Sequence, residues 1–171
     1  MNHKLALLLP TLAAPVLSAG DLRVTIEIPR LNVAEYHRPY VAAWIATPDQ
    51  SVATQLTVWY DVDMKNDEGT TWLKDLRQWW RRAGRTLTLP IDGVTGPTRA
   101  AGEHALVFKA DSAPLAKLTP GDYQLVVEAA REVGGREIVT IPFTWTGDAR
   151  LRLEAKGETE LGRVSLETVP Q

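Results

Sequence analysis

Apolar and polar residues alternate along much of the chain with the two-residue period of half-buried strands. In LRVTIEI, Leu22, Val24, Ile26 and Ile28 share one face while Arg23, Thr25 and Glu27 share the other. YVAAWIA (40–46) and TQLTVWY (54–60) read as a pair joined by the turn-rich TPDQS. DYQLVVEAA (122–130) sets Tyr123, Leu125, Val127 and Ala129 on one side. EIVTIPFTW (137–145) follows after Gly134-Gly135, a hairpin signal. HALVF, LRLEA and GRVSLET supply shorter strands. Seven or eight short strands with turn residues between them and no βαβ rhythm predict an all-β fold, an Ig-like antiparallel β-sandwich.

One segment departs from the two-residue period. TTWLKDLRQWWRRAGR (70–85) spaces Trp72, Leu76, Trp79 and Ala83 as a helical stripe, with Leu73 and Trp80 beside it. Thr71 is placed to cap the start and Gly84 to end it. The chain from about 61 to 102 therefore reads as a long insertion carrying one short α-helix. Connections of that length in a compact domain usually have a job.

The N-terminus changes the compartment. MNHKLALLLPTLAAPVLSAGD has a basic start at Lys4, an apolar stretch from Leu5 to Leu17, and small residues at Ser18 and Ala19. That is the three-part pattern of a secretory signal, cleaved near Ala19, and its apolar part is too short to span a bilayer comfortably. Residues 20–171 remain as one Ig-like domain, exported and not embedded in the membrane. Cysteine is absent, so burial rather than disulfides must stabilise it. A net charge of −2 suggests neither nucleic acid nor an anionic membrane surface as partner.

Little of the usual chemistry is present. Beyond the signal, the imidazoles are His37 and His104, which without cysteine make a poor metal site. YDVDMKNDEG (60–69) gathers Asp61, Asp63, Asp67 and Glu68, but lacks the central glycine and terminal glutamate of an EF-hand. There is no Gly-x-Ser-x-Gly elbow, serine–histidine arrangement or phosphate-cradling loop. No catalytic residue or metal ligand is assigned, and an electron carrier or accessory protein is expected rather than an enzyme.

Two local patterns resemble known families. Leu118-Thr119-Pro120 followed by Gly121-Asp122-Tyr123-Gln124-Leu125 looks like the first strand segment of Ig-like domains such as that of the flagellar hook-capping protein. Gly102 to Phe108 resembles its partner strand, with His104 where an aromatic is common. More broadly, YHRPYVAAW (36–44), LKDLRQWW (73–80), residues 92–99 and DYQLVVEAARE (122–132) resemble an exported bacterial family, the domain of unknown function 2271. That resemblance implies an Ig-like periplasmic protein, encoded near membrane proteins of the PepSY type and near flavin transferases.

The flavin-transferase association gives meaning to DGVTGPTR (92–99). Exported flavoproteins that carry FMN esterified to threonine share the acceptor motif Asp-x-x-(Ser/Thr)-Gly-(Ala/Ser)-(Thr/Ser). Asp92, Thr95, Gly96 and Thr98 fall into its register, with Thr98 in the acceptor place and Pro97 as the single departure. Roughly one chain in a hundred of this length would carry the four fixed types by chance. The resemblance implies covalent FMN on Thr98, added by a partner transferase whose base takes the hydroxyl proton. Such an acceptor is expected on an exposed, slender, mobile loop, with the glycines allowing close backbone approach. The alternative is a solvated turn leading to the strand at 104–109.

The helix offers further candidates. Trp72, Leu76 and Trp79 are expected to pin it to the sandwich, leaving Trp80, off the main stripe, as the better ring to stack on a flavin. Lys74, Arg77, Arg81, Arg82 and Arg85 form a basic face, and Arg99 lies beside the motif. These cations are suited to an FMN phosphodiester or an acidic partner, or are simply a solvated surface. Two functions follow: an exported electron-transfer module working with a PepSY-type membrane redox protein, or a non-redox Ig-like module docking to a membrane partner through its Trp/Arg helix.

Overall fold

The alternation in residues 21–28 resolves as its period requires. Leu22, Val24, Ile26 and Ile28 are buried, Arg23 is exposed, and Thr25 and Glu27 lie between. The structure, a computed structural model, describes residues 20–147 and 149–169. Residues 1–19, with the signal pattern, lie outside that description. The strands are β1 (Asp21–Ile28), β2 (Tyr40–Ala46), β3 (Val52–Tyr60), β4 (Thr95–Pro97), β5 (Gly102–Phe108), β6 (Gly121–Ala130), β7 (Arg136–Trp145), β8 (Arg152–Lys156) and β9 (Arg163–Val169). They form two sheets, ordered β5-β1-β9-β8 and β4-β3-β2-β6-β7. Every pairing is antiparallel except β3 with β4. This is the all-β sandwich the strand pattern predicts.

The first apolar cluster fills the space between the sheets. It joins Leu22, Val24 and Ile26 of β1 and Val164 and Leu166 of β9 to Val41, Ala43 and Ile45 of β2 and Leu125 and Val127 of β6. At the start of β6 the Tyr123 hydroxyl donates to the Thr119 carbonyl at 2.9 Å. That is the tyrosine corner of Ig-like domains, which ties a strand to the turn before it.

The second cluster explains why YVAAWIA is not a clean alternation. Ala42, Trp44 and Ala46 point away from the first core yet are buried, as are Val58 and Val126. The insertion covers them with Leu73, Leu76 and Trp79. Strands β2 and the centre of β6 are thus buried on both faces. Burying Leu73 and Leu76 contributes about 1.5–3 kcal/mol each.

The insertion is not the single helix its spacing suggested. Residues Lys65–Asp75 form 3₁₀ turns kinked at Asn66 and Asp67, both with φ of 56°. Leu76 leaves the helical region with ψ of 70°, and α1 (Arg77–Arg82) follows. Leu73, Leu76 and Trp79 repeat every three residues, the period of 3₁₀ rather than α geometry. That shift of phase turns Trp72 outward, 47% exposed, so it does not pin the insertion. Neither Thr71 nor any other side chain of the segment caps α1. The cap comes from the sheet: Gln78 and Trp79 N–H donate to the Glu128 carboxylate of β6 at 3.0 and 2.7 Å. Glu128 is fully buried and also accepts from Arg136 at 2.7 Å. The Trp79 indole N–H donates to Gln55 at 2.9 Å, so both donors of this buried residue are satisfied. Gly84 closes over Trp79, where an added Cβ would lie 2.5 Å from the ring.

Candidate functional site

Residues 92–99 are a fixed edge of the five-stranded sheet, not a mobile tip. Gly93 turns the chain with φ of 71°. The Val94 carbonyl then accepts from Val58 N–H at 2.9 Å and from the Thr57 hydroxyl at 3.1 Å. Thr95, Gly96 and Pro97 pair in parallel with Val58, Trp59 and Tyr60, and Thr98 N–H donates to the Tyr60 carbonyl at 3.1 Å. Proline is tolerated because this is an edge. Backbone groups alternate in direction along a strand, so the bonds of Val94 and Thr98 to β3 set the missing N–H of Pro97 on the open side.

The candidate residues do not follow strict alternation, because Thr98 and Arg99 come after the end of β4. Thr98 is half-buried and lines a cavity of about 640 Å³ together with Tyr36, Tyr40, Trp72, Pro97 and Arg131. Arg99 points the other way, its guanidinium 5.4 Å from the centroid of Trp59, whose ring meets His104 edge-on at 5.7 Å. Thr95 is engaged within the turn, its hydroxyl accepting from Ile91 N–H at 2.8 Å. Gly96 lies over Trp59, where a Cβ would make only ordinary contact at 3.7 Å. Asp92 borders a separate shallow groove with Ile91, Val94, Val107 and Phe108. Trp80 packs partly buried against the second cluster, 6.3 Å from Trp79. The structure therefore brings Thr98 to Trp72, and sets Trp80, Arg99 and Asp92 elsewhere.

The cavity has a polar rim and aromatic walls. Burial raises the Tyr40 phenol above its ordinary range, opposed by a hydrogen bond with the Asp61 backbone; burial and Asp67 raise Tyr60. The two rings meet edge-on at 6.2 Å and stay protonated at neutral pH. Arg131 is held by Glu160 at 2.8 and 3.1 Å, with side chains 6% and 4% exposed, and Glu160 also accepts from Gly135 N–H at 2.8 Å. The bond to Glu160 raises Arg131 further, so this guanidinium is permanently charged; two of its nitrogens bond Glu160, while Nη1 is buried without a hydrogen-bond partner among the described residues. Its charged carbon sits 5.9 Å from the Tyr36 ring. The rim adds Asp61, Asp63, Asp75 and Glu132. His37 bonds Glu35 at 2.9 Å and lies 3.5 Å from Glu132. Among the described residues no group of three His, Cys, Asp or Glu is placed to hold a metal ion.

Sequence spacing marked Thr98 but missed its neighbours. Tyr36 and Tyr40 arrive from the lead-in to β2, Trp72 from the insertion and Arg131 from the end of β6. Trp72 is among the tryptophans weighed as a flavin stack, with Trp80 preferred; the tyrosines are hinted at only by the aromatics in YHRPY.

Fold and site together define a class: a β-sandwich with a helical insertion on one face and an aromatic cavity at its sheet edge. Within it the chain belongs to the family of predicted periplasmic proteins DUF2271, which matches residues 21–163. The family places the protein in the periplasm, and no helix among the described residues is long and apolar enough to cross a membrane. No curated protein and no solved structure matches the chain.

Proposed function

We propose that this periplasmic protein is a flavin carrier, with FMN joined through its phosphate to Thr98 by a partner flavin transferase. One observation supports this above the motif itself: the acceptor threonine sits at the wall of an aromatic cavity. Its volume of about 640 Å³ lies within the roughly 300–1,000 Å³ of small-molecule sites. The residues present fit the group, since flat rings suit a planar tricycle and a neutral hydroxyl suits ester formation.

The attachment step balances without any redox change. The Thr98 Oγ attacks the flavin-side phosphorus of a flavin dinucleotide such as FAD. The new O–P bond forms as the pyrophosphate bond breaks, AMP departs, and the hydroxyl proton passes to a base of the transferase. The chain's own task is presentation. The Thr98 N–H bond to Tyr60 fixes the backbone, and Thr98 directly follows the edge strand β4, a side of the sheet that a partner can approach. Once bound, the flavin supplies electron transfer, and the protein holds and tunes it. Its electron partner on this account is a PepSY-type membrane redox protein.

Co-expression with a flavin transferase tests the proposal. Intact mass should rise by one FMN unit, and Thr98→Ala should remove the gain. An unchanged mass in the unsubstituted protein would overturn it.

A second role rests on a different observation. Arg77, Arg81, Arg82 and Arg85 are exposed on and just after α1, with Arg82 donating to Gln50 of the β2–β3 turn at 2.6 Å, and together they suit an acidic partner. As a docking face for the membrane partner, they predict that reversing Arg77, Arg81 and Arg82 in charge abolishes pull-down from membranes; retention would exclude it.

A further inference from the structure

The cavity beside Thr98 is lined by what a folded protein usually covers. Among the described residues the exposed aromatic side chains are Tyr36 (39%) and Trp72 (47%), and both line this one cavity. Val133 joins them, 72% exposed, with φ of 51°. A β-branched residue in the left-handed region is strained, and strain of that kind collects at binding sites. Three exposed apolar groups around a single concavity mark a binding surface rather than scattered surface residues.

These groups are held rather than loose. Gly69 is wedged against Asp61, where a Cβ would lie 2.0 Å from the carbonyl oxygen, and Leu73 is buried. Trp72 is carried between these two anchors. Lys74 sits 5.7 Å from its ring centroid.

The charges then choose the ligand. The rim sets Asp61, Asp63, Asp75 and Glu132 against Arg38 and Arg131, with Lys74 beside Trp72; Arg131 is ion-paired with Glu160 through two of its nitrogens, and its unpartnered Nη1 is buried. Four carboxylates on the rim offer a free phosphate little attraction inside the cavity, and the aromatic walls suit an uncharged planar ring, with the tethered phosphate left at the Thr98 edge. We infer that this cavity seats the isoalloxazine ring itself, stacked on Trp72, and that it does not recognise the FMN phosphate. This inference rests on the flavin assignment at Thr98. It also explains why a covalent tether would be needed: the phosphate contributes no affinity of its own, so ester formation must supply the local concentration of ring.

The test separates the two ideas by using riboflavin, which has the ring and no phosphate. Thr98→Ala protein is titrated with riboflavin and with FMN, read by quenching and anisotropy of flavin fluorescence. Riboflavin should bind saturably and at least as tightly as FMN. Trp72→Ala should weaken it about tenfold or more, as expected for one stacking aromatic, while Trp72→Phe retains part of the affinity. Near-ultraviolet circular dichroism confirms that both variants fold, which the exposure of Trp72 favours. Absence of saturable binding, tighter FMN than riboflavin, or indifference to Trp72→Ala would overturn the seat. Failure of attachment at Thr98 is read separately, by intact mass. An attached flavin whose fluorescence is unchanged by Trp72→Ala would sink the seat while leaving the carrier standing.

Discussion

Glu128→Ala is the sharpest test of how the insertion is held. Glu128 is a fully buried carboxylate that accepts from two backbone N–H groups of α1 and from Arg136. Removing it strands the Trp79 amide, which is buried, and the Gln78 amide, which is partly so. Arg136 is 37% exposed and can turn to water, so its share of the loss is small. Hydrogen bonds to a charged group are worth about 1.5–3 kcal/mol each, and breaking a buried pair costs about 3–5 kcal/mol. A loss of about 3–5 kcal/mol follows, or roughly 6–20 °C in Tm at 2–4 °C per kcal/mol for a domain of this size. Glu128→Gln keeps one acceptor oxygen and should cost about half as much. Calorimetric unfolding of the three proteins measures this. Because α1 continues directly from the segment bearing Trp72, riboflavin affinity should fall in Glu128→Ala as well. A Glu128→Ala protein within about 1 kcal/mol of the unsubstituted one would refute the cap, since surface-like substitutions stay within that range.

Other consequences are direct. Burial pushes the Glu137 carboxyl up, but the Glu158, Leu161 and Thr159 amides that it accepts from outweigh burial and hold it below the usual glutamate range. A depressed folded pKa contributes stability present above the unfolded value, about 4.3, and lost as pH falls through the lower folded value. Protection factors for amide exchange at Thr159 and Leu161, taken relative to the intrinsic rate at each pH, should therefore fall in acid below about pH 4, and Glu137→Gln should show low protection already at neutral pH. Equal protection in the two proteins would contradict this. Gly84→Ala drives a Cβ into the Trp79 ring and should destabilise by about 1–3 kcal/mol, the usual cost of overpacking; unchanged denaturant midpoint would count against that contact.

Strands with one buried face were the easiest to see. β1 and β7 alternate because solvent meets their other side, and Gly121-Asp122-Tyr123 was legible as a strand start by its resemblance to Ig-like domains, though its corner was not. β2 and β3 were found as strands, but their second buried face was hidden, because it depends on an insertion that returns from later in the chain. The break at Leu76 was hidden for a related reason. A stripe read at 3.6 residues favours Trp72, whereas the three-residue spacing chosen by packing favours Leu73. Glu128 did carry a signal, since a carboxylate within LVVEAA demands a buried partner. β4 gave none: Thr-Gly-Pro reads as a turn, and its pairing with β3 depends on the fold. At the site, spacing marks Thr98 within its motif, but Thr98 and Arg99 lie past the end of β4, and only the fold shows that Thr98 lines the cavity while Arg99 lies over Trp59.

The most direct measurement is fragmentation mass spectrometry of the peptide containing residues 92–99, taken from protein isolated from its native periplasm. An FMN unit on Thr98, absent from Thr95 whose hydroxyl is occupied within its turn, is the predicted result. A peptide that is unmodified, or modified at Thr95 instead, would contradict the account.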